Sequence, residues 1–287
     1  MTVPVTRNAG VSRGWAFVGP AVLWTLAFFI VPFVMMICYS LWQRAGTGLV
    51  RSWNLDNYTG FLDKPHFVAG LQNSLEITVL VTVVSIILAY PLAWIIAERV
   101  PRRWQRLALL LAILPFWTSY VVRSYAWLLV LSRGGYLNQF LVGAGIIDSP
   151  LEITATRAAT VTGFVHFFVM LLTLTIYANL VQLSPNYRRA AMDLGASPLQ
   201  TFWHVILPLT LPGVVVGAFL TFVLCIGDYI TPQILGGNNE LVLPQIIMLQ
   251  ITRRADFPTA AALSIILMVV ITLVYLAASR WLKMERV

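Results

Sequence analysis

The chain has 287 residues, of which 59% are hydrophobic and only 10% are charged, whereas a soluble domain carries roughly 25% charged residues. Its mean hydropathy is +0.81, so the composition excludes an ordinary soluble enzyme and indicates an integral membrane protein. The formal net charge of +8 does not indicate a nucleic-acid-binding protein, because the basic residues stand at the ends of apolar runs.

Six apolar runs are long enough to span a membrane, which takes about 20 residues per helix. The sequence therefore predicts an all-α integral membrane protein with six transmembrane helices. The approximate spans are 14–42, 71–97, 106–131, 159–182, 207–230 and 259–282. Membrane helices tolerate proline and glycine where packed neighbours satisfy the backbone. The fifth run is the most interrupted, by Pro208, Pro212, Gly213, Gly217 and Gly227.

The segments between these runs differ in how densely they carry lysine and arginine. With both termini in the cytoplasm, the inner segments carry eleven basic residues and three longer outer loops carry seven. Because basic residues concentrate in cytoplasmic segments, this bias predicts cytoplasmic N- and C-termini. The inner set is Arg7, Arg13, Arg99, Arg102, Arg103, Arg106, Arg188, Arg189, Arg280, Lys283 and Arg286.

Residues that could carry enzyme chemistry are sparse. The only two lysines, Lys64 and Lys283, do not follow a glycine-rich loop, so the sequence has no Walker-type phosphate-binding loop. The three histidines, His66, His166 and His204, lack metal-ligand spacing. We therefore expect no catalytic residue, no cofactor and no metal in this chain.

A compact polar passage at 184–208 precedes the fifth apolar run. Ser184 followed by Pro185 is typical of a helix start, and Gly195 of a left-handed helix end about ten residues later. Residues at i, i+3, i+4 and i+7 form one face of this short amphipathic helix, namely Tyr187, Ala190, Ala191 and Leu194.

A second helix is predicted directly after the first. Ser197 and Gln200 have the spacing of a capping box, with Pro198 at the first helical position. We expect Pro208 to end or kink this helix as the chain enters the membrane. From periodicity alone, the passage could equally be an interfacial helix that lies on lipid headgroups.

The passage resembles the EAA loop of the permease subunits of binding-protein-dependent ABC importers, the MetI-like family. That pattern reads E-A-A, three residues, G, nine residues, I, one residue, L-P. Here Val205 stands at the Ile position, and Arg189 stands where the family has Glu. In the family this loop is a cytoplasmic coupling helix that docks into a groove of the partner ATPase. The resemblance therefore implies an ATPase-coupling role for Arg189, Ala190, Ala191, Asp193, Gly195, Leu207 and Pro208.

The resemblance extends over nearly the whole chain and narrows to the polyamine-type branch of the family. It is carried by LDNY at 55–58, YPLAWIIAE at 90–98, LPFWTSYVVRSYAW at 114–127, a run from Ser132, GDYITPQILGG at 227–237 and FPTAAALS at 257–264. It implies a single permease domain, 1–287, in the bacterial inner membrane, importing spermidine or putrescine. The implied partners are a second permease subunit, an ATPase dimer that binds ATP and Mg, a periplasmic substrate-binding protein and membrane lipid.

Other functions stay open at this point. An opine, an aminophosphonate or an amino-acid-like solute would suit the same class of importer. A secondary transporter would show interrupted spans in both halves of the chain, and a purely structural membrane subunit would not require the EAA-like loop.

Charged residues inside a membrane usually face a cavity or a partner, so Arg123 and Asp228 are the first candidates for the translocation path. Aromatic faces could bind a cationic solute beside them. The aromatic candidates are Trp117, Tyr120, Tyr125 and Tyr229. Two alternatives are that the aromatic residues form an interfacial belt and that Asp228 pairs with Arg123.

Overall fold

The structure is a computed structural model that describes residues 18–46, 48–238 and 240–283, without the side chains of residues 278 and 280–283. Several predicted features lie outside the described residues: positions 14–17 of the first span, Arg7, Arg13 and Arg286, and the side chains of Arg280 and Lys283.

The described chain forms two compact units. The smaller unit comprises the described residues up to Asp63 and Leu249–Ile266. It begins with helix α1, Val18–Ser40, in which Leu26–Ile30 form a π-helical turn. An antiparallel hairpin follows, β1 at Gln43–Ala45 and β2 at Gly48–Val50, and then helix α2 at Asp56–Asp63.

The larger unit comprises Lys64–Met248 and the described residues from Leu267 onward. Its helices are α3 Pro65–Glu98, α4 Arg102–Ile113, α5 Tyr120–Leu131, α6 Tyr136–Gly143, α7 Arg157–Gln182, α8 Pro185–Asp193, α9 Pro198–Thr201, α10 Leu207–Ile226 and α11 Ile230–Leu235. Two further helices, α12 Leu243–Thr252 and α13 Phe257–Lys283, contribute residues to both units.

Within the described residues, five helices are long and apolar enough to cross a membrane, and each overlaps a predicted span. They are Val18–Ser40, Pro65–Glu98, Arg157–Gln182, Pro198–Ile226 and Phe257–Ala277. The remaining predicted span, 106–131, is not one straight helix but a pair, Arg102–Trp117 and Tyr120–Gly143, bent by 91°. If this pair is one broken span, the described chain has six.

The bend in the third span has a local cause. Thr118 and Ser119 adopt extended backbone, with ψ of 149° and 134°. A 3₁₀ turn, Leu114–Trp117, precedes them and contains Pro115, which lacks the backbone N–H that a continuing helix requires. The apolar periodicity of this run therefore identified its membrane character but not its break.

The second helix of the polar passage was expected to end or kink at Pro208, and it does not end there. The chain stays helical from Pro198 to Ile226, with a π-helical turn at Phe202–Ile206 just before the proline. The N–H of Leu207 donates to the carbonyl of Phe202, five residues back. This wider turn accommodates the missing donor and the bulky ring of Pro208 within a continuous helix.

The core of the larger unit lies where α3, α7 and α10 pack together. Small residues allow helix backbones to approach closely in membranes. On α10, a methyl group at Gly217 would lie 2.9 Å from the Leu172 side chain of α7, and one at Gly213 would overlap Asn179. The buried residues of this region are Ala89, Tyr90, Ala93, Leu172, Ile176, Leu180, Ile206 and Val214.

Candidate functional site

The two helix starts predicted in the polar passage are confirmed. The Ser184 hydroxyl accepts a hydrogen bond from the backbone N–H of Asn186 (3.3 Å) at the start of α8. At α9 the capping box is complete: Ser197 Oγ accepts from the Gln200 N–H (3.3 Å), and Gln200 Oε1 accepts from the Ser197 N–H (2.8 Å). These bonds satisfy backbone donors that a helix start leaves free.

The left-handed helix end at Gly195 is also confirmed. Gly195 has φ +85°, a conformation that a side chain with a Cβ disfavours. Its N–H donates to the Met192 carbonyl (2.9 Å), and the Ala196 N–H donates to the Ala191 carbonyl (3.0 Å). These two bonds form a Schellman motif, which turns the chain sharply between α8 and α9.

The predicted apolar face of α8 is only partly available to a partner. Leu194 is 89% exposed, and Tyr187 and Ala190 are also exposed. Ala191 is only 9% exposed, so its side chain packs within this chain. Arg189 and Asp193 are exposed, and so are Leu199 and Trp203 on the next turns. Helix α8 thus presents apolar and charged side chains outward, but not both alanines.

Arg188 binds the end of α3 from the side of α8 that faces the rest of the chain. We call this group the Arg188 cluster: Arg188, Glu98 and Trp94. Its guanidinium binds both carboxylate oxygens of Glu98, Nη2 to Oε1 at 2.6 Å, and lies 5.1 Å from the Trp94 ring centroid. The hydrogen bond to Glu98 raises the pKa of Arg188, against the lowering effect of burial. A cavity of about 550 Å³ opens beside this pair.

A second ionic group involves the first half of α3, and we call it the Arg157 cluster: Arg157, Glu76, Glu240 and Asn73. Arg157 Nη1 binds Glu76 Oε2 at 2.6 Å, and Nε binds Glu240 Oε2 at 3.0 Å. Its Nη2 donates to the Asn73 side-chain oxygen at 2.9 Å. The cluster joins α3, the start of α7 and the segment before α12.

Among the translocation candidates, the structure brings Tyr120, Arg123 and Asp228 together. The Tyr120 hydroxyl donates to the Asp228 carboxylate. The buried Arg123 guanidinium lies 5.1 Å from the Tyr120 ring centroid and 4.6 Å from that of Phe167, and its Nη1 donates to the Pro115 carbonyl (3.1 Å).

The expected alternative of an Asp228–Arg123 ion pair is not what the structure contains. The carboxylate of Asp228 also accepts from the backbone N–H groups of Ile230 (2.8 Å) and Thr231 (3.4 Å). Asp228 therefore stabilises the start of α11, because a carboxylate is favourable beside the free N–H groups of a helix start.

The other aromatic candidates lie differently. Trp117 and Tyr125 are exposed, and Tyr229 is half-buried at the start of α11.

Sequence reasoning missed the pairing of Arg188 with Glu98 and the role of Phe167 beside Arg123. The sequence offered one signal for the Arg188–Glu98 pair: the two residues have opposite charges, and the charge bias assigns their segments to the same side of the membrane.

Long apolar helices joined to a short capped helix with an outward-facing surface define a multi-pass membrane subunit. A family model described as "Binding-protein-dependent transport system inner membrane component" matches residues 77–283. The chain belongs to this family, so it is a transport subunit of the bacterial inner membrane.

Curated relatives cover nearly the whole chain. The spermidine/putrescine transport system permease protein PotB of Escherichia coli is 36% identical over 264 residues, 91% of this chain and 95% of that protein. PotB of Haemophilus influenzae is 30% identical over the same share of this chain and 92% of its own length. The inner membrane ABC transporter permease protein YdcU of Escherichia coli is 33% identical over 72% of this chain and 69% of that protein.

Solved structures share the fold. A chain of a bacterial ABC transporter involved in import of the acidic polysaccharide alginate has a TM-score of 0.76 and 18% identity, covering 96% of this chain and 97% of that chain. A chain of the MetNI methionine ABC transporter in an inward-facing conformation has a TM-score of 0.59 and 16% identity, covering 77% and 96%. The expected MetI-like permease fold is thereby confirmed.

Proposed function

We propose that this chain is the permease subunit of an ATP-driven importer of polyamines, with spermidine and putrescine as its solutes. The observation that carries the proposal is the 36% identity to PotB over 91% of this chain and 95% of that protein. This similarity covers nearly the full length of both chains, so it includes the spans as well as the polar passage. It is therefore not confined to a general ATPase-docking motif.

The proposed partners follow from this assignment. A second, PotC-like permease subunit completes the translocation path, and a periplasmic binding protein delivers the solute. An ATPase dimer supplies the energy, with ATP and Mg bound on those subunits and no cofactor in this chain. The exposed surface of α8, with Leu194, Tyr187, Ala190, Arg189 and Asp193, is the proposed docking surface for the ATPase.

The proposed orientation places both termini and α8 in the cytoplasm. It rests on the density of basic residues in the inner segments. Along α3, Glu76 and Glu98 are separated by roughly 33 Å at 1.5 Å per residue, about the thickness of the hydrocarbon core. Glu98 then lies at the cytoplasmic end of α3 with the coupling helix, and Glu76 lies on the periplasmic side of the membrane.

Uptake into membrane vesicles containing the complete co-expressed system tests the proposal. We expect saturable, ATP-dependent uptake of labelled putrescine and spermidine. An opine, an aminophosphonate and an amino acid serve as competing cargoes in parallel. Uptake of one of these alone would replace the polyamine assignment, and uptake driven by an ion gradient without ATP would favour a secondary transporter.

Asp228 is the proposed carboxylate of the translocation path. Its charge is compatible with a cationic solute, although its oxygens already accept from Tyr120 and the start of α11. The substitution Asp228→Asn removes the charge and keeps an oxygen acceptor, so we expect weaker polyamine uptake with normal membrane insertion. Unchanged uptake and unchanged solute preference would remove Asp228 from the path.

A further inference from the structure

Helix α8 is attached to the rest of the larger unit by a side-chain contact as well as by its backbone. Arg188 lies in its middle, on the side opposite the exposed residues, and binds Glu98 at the last residue of α3. The two residues are 90 positions apart in sequence. The contact therefore joins a short surface helix to a spanning helix that is not its neighbour in the chain.

The geometry favours arginine over any other cation at this position. A guanidinium forms two parallel hydrogen bonds to one carboxylate and can stack on an aromatic ring at the same time, whereas an ammonium cannot do both. Arg188 does both, with Glu98 and Trp94. The side chains of Arg188 and Glu98 are 33% and 24% exposed, so water only partly competes with the pair.

The contact continues beyond Trp94 into the fifth span. Trp94 meets the Phe202 ring edge-to-face, with centroids 5.2 Å apart, and Phe202 meets Tyr90 in the same way at 5.6 Å. The Tyr90 hydroxyl lies 2.8 Å from Thr210 Oγ1 on α10. A displacement of α8 is thus opposed by packed groups on α3 and on the fifth span.

We propose that the Arg188 cluster is a positioning element that transmits displacement of α8 to α3, so that movement of the partner ATPase reaches the second span as well as the fifth. This inference rests on the proposed docking of α8 to an ATPase. Arg188 acts through Glu98 and Trp94 and does not touch the solute. Its removal should lower the solute imported per ATP hydrolysed.

Charge reversal and charge exchange test the pair directly. The complete system is prepared with Arg188→Glu, with Glu98→Arg and with both together, and uptake and ATP hydrolysis are measured per assembled complex. We expect each single reversal to lower solute imported per ATP at least tenfold. We expect the double exchange to exceed either single variant at least fivefold, because opposite charges again face each other.

Matched variants separate this role from general charge and folding effects. Arg99 is an exposed residue next to Glu98, and Arg99→Glu makes the same charge change as Arg188→Glu. This variant should leave the ratio of solute imported to ATP hydrolysed within twofold of the wild type. Arg188→Lys keeps the charge without the paired hydrogen bonds and should give an intermediate ratio. If a reversed variant fails to assemble, the milder Arg188→Gln and Glu98→Gln enter the same assay.

The outcomes distinguish this inference from the proposed function. Absence of ATP-driven uptake by the wild-type system would overturn the proposed function itself. Normal coupling in both single reversals, with an active wild type, would overturn only the role of the cluster. Single variants that lose coupling without recovery in the double exchange would overturn the pairwise link.

Discussion

Helix α3 carries one glutamate in its first half and another at its last residue, and each glutamate binds an arginine in a different setting. The Arg157 cluster shares one guanidinium among two carboxylates and an amide, and the side chains of Arg157, Glu76 and Glu240 are 32%, 61% and 47% exposed. In the Arg188 cluster one carboxylate takes both hydrogen bonds and an aromatic ring covers the cation. The two arginines are equally exposed, so the clusters differ in their carboxylates, which are more solvated in the Arg157 cluster than Glu98 is.

The two arginines also stand differently in their helices. Arg157 is the first residue of α7, directly after its capping residue Thr156, where a positive charge opposes the helix dipole. Glu76 and Glu240 offset that charge. Arg188 lies in the middle of α8, where the dipole matters less. The Arg157 cluster therefore corrects an unfavourable local charge, whereas the Arg188 cluster fixes where a helix sits.

The largest effect on uptake is expected from Gly195, which ends helix α8 on its C-terminal side. The substitution Gly195→Val places a β-branched residue at φ +85°, where strain of roughly 1–2 kcal/mol is typical for residues with a Cβ. Relieving the strain breaks the turn into α9, so we expect less than a tenth of wild-type ATP-driven uptake with normal insertion. Gly195→Asn is the control, since Asn tolerates this conformation; full uptake by an inserted Gly195→Val variant would contradict the docking role of α8.

A stability measurement contrasts the two clusters next. Removing Arg188 by Arg188→Gln leaves the half-buried Glu98 without its charged partner, which costs roughly 1–3 kcal/mol. Arg157→Gln breaks more exposed pairs worth about 0–1 kcal/mol each and also relieves the charge at the helix start. Thermal unfolding of the full-length chain in detergent should show the larger decrease in Tm for Arg188→Gln. An equal or larger decrease for Arg157→Gln would contradict the contrast, and Arg99→Gln serves as the control for loss of charge.

The features that sequence reasoning predicted well are local. The caps at Ser184 and Ser197 and the helix end at Gly195 involve hydrogen bonds between residues at most five positions apart. Such bonds depend on neighbouring residue types, so a short stretch of sequence contains the information. The apolar runs similarly identified the five helices of the described chain that are long and apolar enough to be single spans.

The features that sequence reasoning missed depend on how distant segments pack. Periodicity grouped Ala191 with Leu194 on one face, but packing covers the first and leaves the second exposed. The partner of Arg188 is 90 residues away, and that of Asp228 is Tyr120, not the oppositely charged Arg123. Charge complementarity alone does not decide such pairs, since a helix start and a phenol can satisfy a carboxylate as well as a cation does.

Salt should separate the clusters further, with a smaller effect. The electrostatic screening length falls from about 10 Å at 0.1 M salt to about 3 Å at 1 M, and screening acts mainly on exposed charges. The Tm difference between wild type and Arg157→Gln should therefore shrink as sodium chloride is raised. The difference for Arg188→Gln should persist, because Trp94 and the carboxylate partly exclude solvent. Equal salt dependence of the two differences would mean that exposure does not distinguish the clusters.

The smallest effect is expected from the neutral member of the Arg157 cluster. Asn73 accepts from Arg157 Nη2 at 2.9 Å and donates to the Leu241 carbonyl at 3.2 Å, so Asn73→Ala removes two hydrogen bonds but no charge. At the lower end of about 0.5 kcal/mol per partly exposed bond, we expect Tm to fall by roughly 2–4 °C. Gln72→Ala, on the neighbouring exposed residue, is the control. Because the Asn73 amide carries no net charge, salt screens its hydrogen bonds much less than an ion pair, so the decrease in Tm for Asn73→Ala should change little with salt. A decrease that vanished in high salt would show that Asn73 acts only by orienting Arg157 toward its carboxylates.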